Sequence, residues 1–406
     1  MANIMRRGIN MRVWYRIRQL AFAIGIACLI RTPKVIKGIG SLSKIAENLV
    51  KTGKKKAFIV TAPFFLESGT LKPLLDSLKE TGIDAVVFSK VESEPTVELA
   101  MDAFSMYKEN ACDVIIALGG GSVIDCSKAV GALAVKKKTI PQMRGVFKIL
   151  KRLPDLYAIP TTAGTGSETT AAAIITDTIN GKHYKYALND FCMVPRYAVL
   201  DASLTFSVPK KITAVTGLDA LCHAVEAYTN DFATKTVKEN ALESVNLIYK
   251  NILLVYEDGL NKEARDNMLY ASFKAGVAFT RNFVGYVHAT AHAVGALYNI
   301  LHGEACAIIL PYVLEQYGER IYPRLAKLAD EAGIKATSEE EKAKLFIASV
   351  KDLNKKMGIP EKIKDLKKED YDEIIERAIK EANPLYPCPV IWKKQDFEIL
   401  LDKLRA

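Results

Sequence analysis

Short apolar runs alternate with helical stretches between Lys55 and about Asp201, and this alternation restricts the fold more than any other feature of the chain. Strands separated by helices are typical of βαβ units, whose strands are parallel and lie in one sheet covered by helices. We therefore predict a Rossmann-like α/β domain. Its buried strands are predicted at AFIVT (57–61), AVVFS (85–89), VIIAL (114–118) and LYAIP (156–160).

The sequence changes character after Pro209, where helical periodicity continues almost to Ala406 and no further run has the composition of a strand. We predict an all-helical second domain and place the boundary near residue 205. The predicted organisation is a basic and apolar helical extension over 1–31, an α/β domain over 32–205 and a helical domain over 206–406. Asn180-Gly181, between AAIITDT and KHYKYAL, predicts a two-residue hairpin turn.

The positive charge of the chain is concentrated at its N-terminus. Nine basic residues and no acidic residue fall within residues 1–46, and they account for nearly all of the net charge of +10. Nucleic-acid binding needs a basic face on the folded body, so this distribution argues against a nucleic-acid partner. Seven cysteines without a CxxC pair indicate a reducing, cytoplasmic protein.

Residues 20–30 read LAFAIGIACLI, an apolar run preceded by arginines. A bilayer span needs about 20 apolar residues, so this run is too short. Arg31 follows it directly, without the small-residue cleavage site of a secretory signal. We interpret residues 1–30 as a helix packed on its own domain or on a partner subunit. A basic amphipathic helix on a membrane surface is the alternative.

Loops rich in glycine or hydroxyl groups follow two of the predicted strands. Gly119-Gly120-Gly121-Ser122 comes directly after VIIAL and opens the next helix, whose N-terminus offers free N–H groups to a phosphate. PTTAGTGSE (160–168) shares Pro160 with the predicted strand LYAIP and forms the loop that follows it. Ligands bind at this edge of an open α/β sheet. Each loop alone is compatible with a ligand-free turn, but together they predict a dinucleotide site.

Four of the five histidines fall in the helical half of the chain. Asp219 and His223 are four residues apart in LDALCHAVEAY, and His288 and His292 repeat this spacing in HATAHAVGA, so each pair projects from one helix face. His302 follows ten residues later. A carboxylate and imidazoles presented in this way suit a borderline divalent ion. The spacing predicts a metal site but does not decide between His288 and His292.

Four motifs occur in order along the chain: GGGSVID, PTTAGTGSE, GLDALCHAVEAY and NFVGYVHATAHAVGALYNILHG. With them the chain resembles the iron-containing, or group III, alcohol dehydrogenases from about residue 32 to the C-terminus. The resemblance implies a dehydroquinate synthase-like fold, a nicotinamide cofactor and Fe2+, although the same donors suit Zn2+. It makes His292 a non-ligand that relays the alcohol proton. It assigns the metal ligands as Asp219, His223, His288 and His302.

The same resemblance assigns the cofactor to the α/β domain and the metal to the helical domain. It also matches Asp125 and Lys185 to positions that line the cofactor, although an exposed lysine on a hairpin is an equally ordinary interpretation of Lys185. The residues it assigns to the pyrophosphate are Gly119, Gly120, Gly121 and Ser122, and those near the ribose and nicotinamide are Thr161, Thr162 and Thr165.

Ala62 is a departure from the family pattern. Many NAD-preferring members carry an aspartate directly after the strand that corresponds to AFIVT (57–61), where its carboxylate accepts a hydrogen bond from the adenosine ribose hydroxyl. Without that carboxylate nothing repels a 2′-phosphate, so we predict NADP(H) in preference to NAD(H). Phe64 and Phe65, which follow in the sequence, offer a phosphate no obvious ligand.

We therefore predict a metal-dependent alcohol dehydrogenase or aldehyde reductase that acts on a small alcohol or aldehyde as a homodimer or larger. A glycerol dehydrogenase-like polyol oxidoreductase is the nearest alternative, but its metal site resembles HATAHAVGALYNILHG less closely. A dehydroquinate synthase-like lyase would carry a lysine-containing glycine segment where this chain has TTAGTGSET. The remaining alternative is a non-enzymatic, basic membrane-surface protein that retains an inactive dehydrogenase body.

Overall fold

A computed structural model describes residues 11–92, 94–179 and 182–406. By its internal contacts the chain divides into two compact units. The first spans Ile30–Val208, and the second spans Pro209–Ala406 together with the N-terminal helix α1 (Met11–Leu29). The described part of the N-terminal segment therefore packs with the helical half of the chain, whereas the sequence predicts a separate extension over residues 1–31.

Two residues of α1 fix it to the second unit. The side chain of Gln19 donates a hydrogen bond to the carbonyl of Tyr386 at 2.7 Å, and Arg16 forms an ion pair with Asp231 at 3.3 Å. The opposite face of the helix exposes Val13 and Ile17. No helix in the described part of the chain has the length and apolar composition needed to cross a bilayer.

The first unit contains nine strands among its described residues and five α-helices. The helices are α2 (Ser43–Lys51), α3 (Pro63–Glu67), α4 (Lys72–Glu80), α5 (Val97–Glu109) and α6 (Gly121–Val135). The strands are β1 (Lys34–Lys37), β2 (Lys56–Thr61), β3 (Asp84–Phe88), β4 (Val114–Gly119), β5 (Gly145–Val146), β6 (Asp155–Pro160), β7 (Ala172–Ile179), β8 (Lys182–Asn189) and β9 (Tyr197–Leu200).

Six of these strands form one parallel sheet in the order β1-β9-β6-β4-β2-β3. The four predicted strands correspond to β2, β3, β4 and β6, and the predicted Rossmann-like fold is confirmed. Strands β5, β8 and β7 form a second sheet, in which β7 and β8 pair antiparallel as expected of a hairpin. The predicted turn residues, Asn180 and Gly181, lie outside the described residues.

Apolar side chains cover both faces of the large sheet. Alternate residues of each central strand enter opposite cores, as the two-residue period of a strand requires. Phe58 and Ile115 join one buried cluster, and their neighbours Ile59 and Ile116 join the other. Burial on both faces explains why these strands are continuous apolar runs rather than alternating ones.

The second unit is helical, and every strand of the described chain precedes it, as predicted. Its helix α7 packs against α8, α9 and α11, and α10 packs against α11. The helices are α7 (Lys210–Thr229), α8 (Lys235–Glu257), α9 (Lys262–Asn282), α10 (Tyr286–Tyr298), α11 (His302–Tyr317), α12 (Tyr322–Glu331), α13 (Glu339–Lys356), α14 (Tyr371–Ala382) and α15 (Lys394–Leu404).

Candidate active site

Three helices of the second unit bring the four predicted metal ligands together. Asp219 and His223 lie on α7, His288 lies on α10, and His302 is the first residue of α11. Asp219 Oδ1 lies 3.6 Å from His288 Nε2 and 3.3 Å from His302 Nε2. Asp219 Oδ2 lies 3.9 Å from His223 Nδ1. The His223 ring also stacks on the His288 ring at a centroid distance of 4.5 Å.

Two polar atoms in this cluster have no hydrogen bond with the described residues, although both are buried: Asp219 Oδ1 and His288 Nε2. A buried polar atom without a hydrogen bond costs about 1–3 kcal/mol, so two that face each other indicate a partner that is not a side chain. One carboxylate and several imidazoles form a donor set that a divalent transition-metal ion accepts. The residues present therefore fit the metal that the sequence predicts.

The charges of the cluster are arranged for a cation. Burial raises the pKa of Asp219, but the neighbouring His223 and His302 outweigh it and hold that pKa well below its usual range. Burial lowers the pKa of His288, but Cys306 and Glu226 outweigh it and raise that pKa well above its usual range. The cluster thus favours added positive charge, which a metal ion would supply in place of protons.

Glu226 orients His288 by contacting the ring nitrogen, Nδ1, that faces away from the cluster. Its Oε2 atom lies 2.5 Å from His288 Nδ1, and its Oε1 atom accepts the backbone N–H of Val287 at 2.7 Å. A histidine that donates through Nδ1 presents Nε2 to an ion, and such a carboxylate contact fixes the ring orientation. Gly285 leaves room for this contact, because a Cβ at position 285 would lie 2.7 Å from Glu226 Oε1.

His292 lies beside the ligand cluster but outside its buried centre. Its side chain is 44% exposed, compared with 2% for His288. The His292 ring stacks on His302 at a centroid distance of 5.0 Å, and its Nδ1 atom lies 2.8 Å from Glu381 Oε1. This position distinguishes His292 from His288, which the sequence spacing did not.

Cys306 is part of the same cluster, although it is not among the ligands predicted from the sequence. Asp219, His288, His302 and Cys306 each offer one ligand atom, and these four atoms all lie within 4.8 Å of one another. His223 is not in this set of four. Cys306 follows His302 by four residues, the same spacing that drew attention to Asp219 with His223, so HGEAC contained a usable signal.

The predicted cofactor loops of the first unit begin side by side. Gly119, the last residue of β4, is the register partner of Pro160, the last residue of β6. The backbone N–H of Thr161 donates to the Gly119 carbonyl at 3.1 Å. β2 ends next to β4, so Ala62 lies at the same edge of the sheet.

The two loops also pack against each other. A Cβ at Gly121 would lie 3.2 Å from the Thr165 side chain, and one at Gly120 would lie 3.9 Å from Thr162 Oγ1. Helix α6 begins at Gly121, and its N-cap residue, Gly120, has no side chain that could cap the N–H groups of the first turn. Backbone N–H groups at such a helix start suit a phosphate. The predicted residues Ser122 and Thr161 flank this junction.

Asp125 and Lys185 have other partners in the structure. Asp125 accepts hydrogen bonds from Ser167 Oγ at 2.5 Å and from the backbone N–H of Ile174 at 3.0 Å. Asp125 thereby ties helix α6 to the second loop and to β7. The half-exposed Lys185 forms an ion pair with Glu94.

Lys128, a buried residue that is not among those predicted from the sequence, reinforces the same junction. Its ammonium group donates to Thr170 Oγ1 at 2.6 Å and to the Ala172 carbonyl at 2.7 Å. Glu168 is buried nearby, and neither of its carboxylate oxygens makes a hydrogen bond with the described residues. The second loop is therefore held by buried polar contacts from α6.

The parallel sheet with two adjoining loops and the helical unit with its carboxylate–imidazole cluster together define a metal-dependent nicotinamide oxidoreductase. The sequence model "iron-containing alcohol dehydrogenase" matches residues 32–202, and the model of the C-terminal domain of the Fe-containing alcohol dehydrogenase family matches residues 213–404. The chain belongs to the iron-containing alcohol dehydrogenase family. It is accordingly an alcohol oxidoreductase, and its family implies a metal ion, typically Fe2+, and a nicotinamide cofactor.

Curated relatives align with most of this chain. The 1,3-propanediol dehydrogenase of Klebsiella pneumoniae is 35% identical, over 85% of this chain and 90% of that protein. The NADPH-dependent butanol dehydrogenase of Clostridium saccharobutylicum is 36% identical, over 85% and 89%. The NAD-dependent methanol dehydrogenase of Bacillus methanolicus is 32% identical, over 86% and 92%.

A solved structure agrees with the same assignment. The alcohol dehydrogenase from Oenococcus oeni superposes with a TM-score of 0.87 at 34% identity, covering 92% of this chain and 99% of that one. The predicted dehydroquinate synthase-like organisation, an α/β unit followed by a helical unit, is thus that of the family.

Proposed function

We propose that Asp219, His223, His288 and His302 hold one divalent ion, Fe2+ or alternatively Zn2+, for the interconversion of a small alcohol and its aldehyde. The observation that carries the proposal is the convergence of Asp219 Oδ1 on the Nε2 atoms of His288 and His302, at 3.6 and 3.3 Å. An ion bound by these donors supplies Lewis acidity toward an alcohol or carbonyl oxygen.

His292 serves as the proton relay in this proposal. Alcohol oxidation releases a hydride from the carbinol carbon to the nicotinamide ring and a proton from the hydroxyl group. The partly exposed His292 takes that proton and passes it to solvent, and Glu381 holds the ring through the 2.8 Å contact at Nδ1. The contact of His292 with His302 supports this role because it keeps the relay beside a ligand.

The adjoining loops of the first unit bind the cofactor in this proposal. The backbone of Gly119, Gly120 and Gly121 approaches the pyrophosphate, with Ser122 beside it, and the helix start of α6 favours the negative charge. Asp125 and Lys185 line the cofactor side, Asp125 by fixing the second loop. The residues near the ribose and nicotinamide are Thr161, Thr162 and Thr165.

NADP(H) is the preferred cofactor in this proposal. Ala62 supplies no carboxylate at the end of β2, so a 2′-phosphate meets no negative charge from that side chain. The names of two relatives differ on this point, one being NADPH-dependent and the other NAD-dependent, so the proposal rests on Ala62 alone.

The reaction is tested with the full chain, a panel of methanol, ethanol, 1-butanol and 1,3-propanediol with their aldehydes, both cofactors, and added Fe2+ or Zn2+. We expect alcohol-dependent cofactor reduction that requires the ion. His288→Ala should lose both metal and activity, because it removes a buried donor. His183→Ala, on β8 of the first unit, is the matched control. Metal and activity retained in His288→Ala would refute the site.

We further propose a homodimer or larger assembly in which α1 contributes to a subunit contact. The outer face of α1 exposes Val13, Ile17, Leu20 and Ile24 at helical spacing, and contiguous apolar surface of this kind marks interaction sites. Analytical ultracentrifugation of Ile17→Lys with Ile24→Lys should show smaller assemblies than the wild type. If the wild type instead co-sediments with anionic vesicles, the membrane-surface alternative for residues 1–30 holds.

A reducing, cytoplasmic setting completes the proposal. It is supported by six cysteines of the described chain, all of which are free thiols. Labelling with a thiol reagent after denaturation should find every cysteine reduced in protein purified without a reductant under anaerobic conditions.

A further inference from the structure

Cys306 lies where a ligand would lie, one turn after His302 on the same face of α11. Its side chain is fully buried, and its Sγ atom is 3.7 Å from His302 Nε2. A buried cysteine is most often a small apolar residue that packs among other apolar groups. This sulfur instead faces imidazole nitrogens and the Asp219 carboxylate.

Three separations within the cluster are those expected between neighbouring donors to a single ion. Nitrogen and sulfur donors bind zinc at about 2.0–2.3 Å, so two cis donors lie about 3–4 Å apart. The observed separations from Asp219 Oδ1 to His288 Nε2 and to His302 Nε2 are 3.6 and 3.3 Å, and Cys306 Sγ to His302 Nε2 is 3.7 Å. The sulfur therefore fits the same ligand shell as the proposed donors.

The buried atoms without hydrogen bonds point to the same centre. Asp219 Oδ1 and His288 Nε2 both belong to the group of four ligand atoms that includes Cys306 Sγ. A divalent ion there would meet only one negative charge among its donors if Asp219 were the sole anion. A thiolate adds a second negative charge directly at the ion, which lowers the cost of burying it.

We infer that Cys306 Sγ is an additional, thiolate ligand of the ion held by Asp219, His223, His288 and His302. On binding, the thiol proton passes to solvent, the Sγ–metal bond forms, and no electron is transferred. The inference rests on the proposed metal site and deepens it. Because thiolate is a soft donor, it increases the preference of the site for Zn2+ or Co2+ over the harder Mn2+.

X-ray absorption of the zinc-loaded wild-type chain tests the ligand without any substitution. We expect one sulfur at about 2.3 Å beside nitrogen or oxygen donors at about 2.0–2.1 Å. A shell of nitrogen and oxygen alone would overturn the inference and leave the proposed metal site intact. Absence of bound zinc would count against both, so metal content is measured in the same sample.

Cobalt spectra of variants provide the second measurement. The Co2+-loaded wild type should show a near-ultraviolet thiolate-to-cobalt band together with visible d–d bands. Cys306→Ser and Cys306→Ala should lose the near-ultraviolet band and keep the visible d–d bands. Their Zn2+ affinity should fall about tenfold or more, and their Mn2+ affinity should fall less. Cys388→Ala, at another buried cysteine of the same unit, is the matched control and should keep both.

Each outcome of the cobalt experiment bears on one claim. A near-ultraviolet band that survives in both Cys306 variants would overturn the inference. Equal losses of Zn2+ and Mn2+ affinity would also overturn it, because a packing defect does not discriminate between ions. Loss of the visible bands in His288→Ala, with retention in Cys306→Ser, would support the histidine site independently of the cysteine.

Discussion

Gly303 approaches Val215 so closely that a Cβ at position 303 would lie 2.1 Å from the Val215 carbonyl oxygen and 3.2 Å from Asp219 Cβ. Gly303 is the second residue of α11, directly after His302, and Val215 lies on α7 one turn before Asp219. The absence of a side chain at 303 is therefore what allows α11 to bring His302 within reach of Asp219.

Gly303→Ala should separate these two helices. Because backbone cannot yield to a contact of 2.1 Å, we expect a loss of about 1–3 kcal/mol in the free energy of unfolding and weaker metal binding. Denaturant unfolding and a metal-competition titration measure the two effects. Gly25→Ala on α1 is the control, since a Cβ there meets no atom within 4 Å. Equal stabilities of the two variants would contradict the close approach.

Glu226→Gln tests the carboxylate behind His288. The substitution keeps the size of the side chain but removes the charge that faces His288 Nδ1 at 2.5 Å. A carboxylate that contacts the other ring nitrogen of a metal-binding histidine typically contributes about 10–100-fold in metal affinity, so we expect a loss in that range. Metal dissociation constants from chelator competition measure it. Glu243→Gln, at a half-exposed ion pair with Lys274, should leave the affinity unchanged.

The fold could be predicted from the sequence where burial leaves a composition signal. Strands β2, β4 and β6 are buried on both faces and therefore read as apolar runs. β1 reads KVIK and is mostly exposed, β9 has four residues and β5 has two. Strands this short are defined by pairing with distant partners, such as Lys34 with Tyr197, which no local pattern contains.

The site was predictable in part for a related reason. Helical spacing identified Asp219 with His223 and His288 with His292, because residues four apart share a face. It could not separate His288 from His292, since only the packing of α10 buries one and exposes the other. Cys306 follows His302 at the same four-residue spacing and could have been selected, whereas Glu226 could not, because glutamate is too common on helices for spacing alone to select it.

Glu168 makes the stability of the chain depend on pH. Burial raises the pKa of Glu168 to about 7 from its ordinary value of 4.5, and Lys128 offsets this only in part. Between these two pH values the folded state holds a proton that the unfolded state has released. The stability that this proton contributes is therefore present below pH 4.5 and is lost as pH rises through 7. A shift of this size corresponds to about 3 kcal/mol.

Glu168→Gln should remove that dependence. Denaturant unfolding of the wild type and the variant between pH 4.5 and 8 gives the difference in free energy at each pH. Between pH 4.5 and 8, we expect the free energy of unfolding of the variant to rise by about 3 kcal/mol relative to that of the wild type. Parallel stability curves would show that the buried carboxyl does not change its proton occupancy on unfolding.

His292→Gln separates the proton relay from the metal ligands. Because His292 is a partly exposed neighbour of His302 rather than a member of the ligand group, the variant should keep its full metal content. Removal of a general base lowers kcat by about 10²-fold or more, and the rise of kcat with pH that a base produces should disappear. Metal analysis and a pH–rate profile measure both.

Glu381→Gln completes the test of the relay. It leaves the His292 imidazole in place but removes the carboxylate at 2.8 Å from its Nδ1 atom. We expect a smaller loss of kcat than in His292→Gln, with an altered but present pH dependence. If His292→Gln loses its metal, His292 is a ligand and the relay assignment is wrong.

Ala62→Asp should reverse the cofactor preference. Ala62 is the N-cap of α3, at the edge of the sheet where β2 and β4 end, so an aspartate there adds a carboxylate without disturbing an apolar core. That carboxylate repels a 2′-phosphate and accepts a ribose hydroxyl. The ratio of kcat/KM for NADP(H) to that for NAD(H) should fall at least tenfold, or about 1.4 kcal/mol. Ala62→Asn, equal in size and uncharged, should change the ratio much less, because the effect is electrostatic. A wild type that already favours NAD(H) tenfold would contradict the proposed preference, and equal ratios in the two variants would locate cofactor selection away from residue 62.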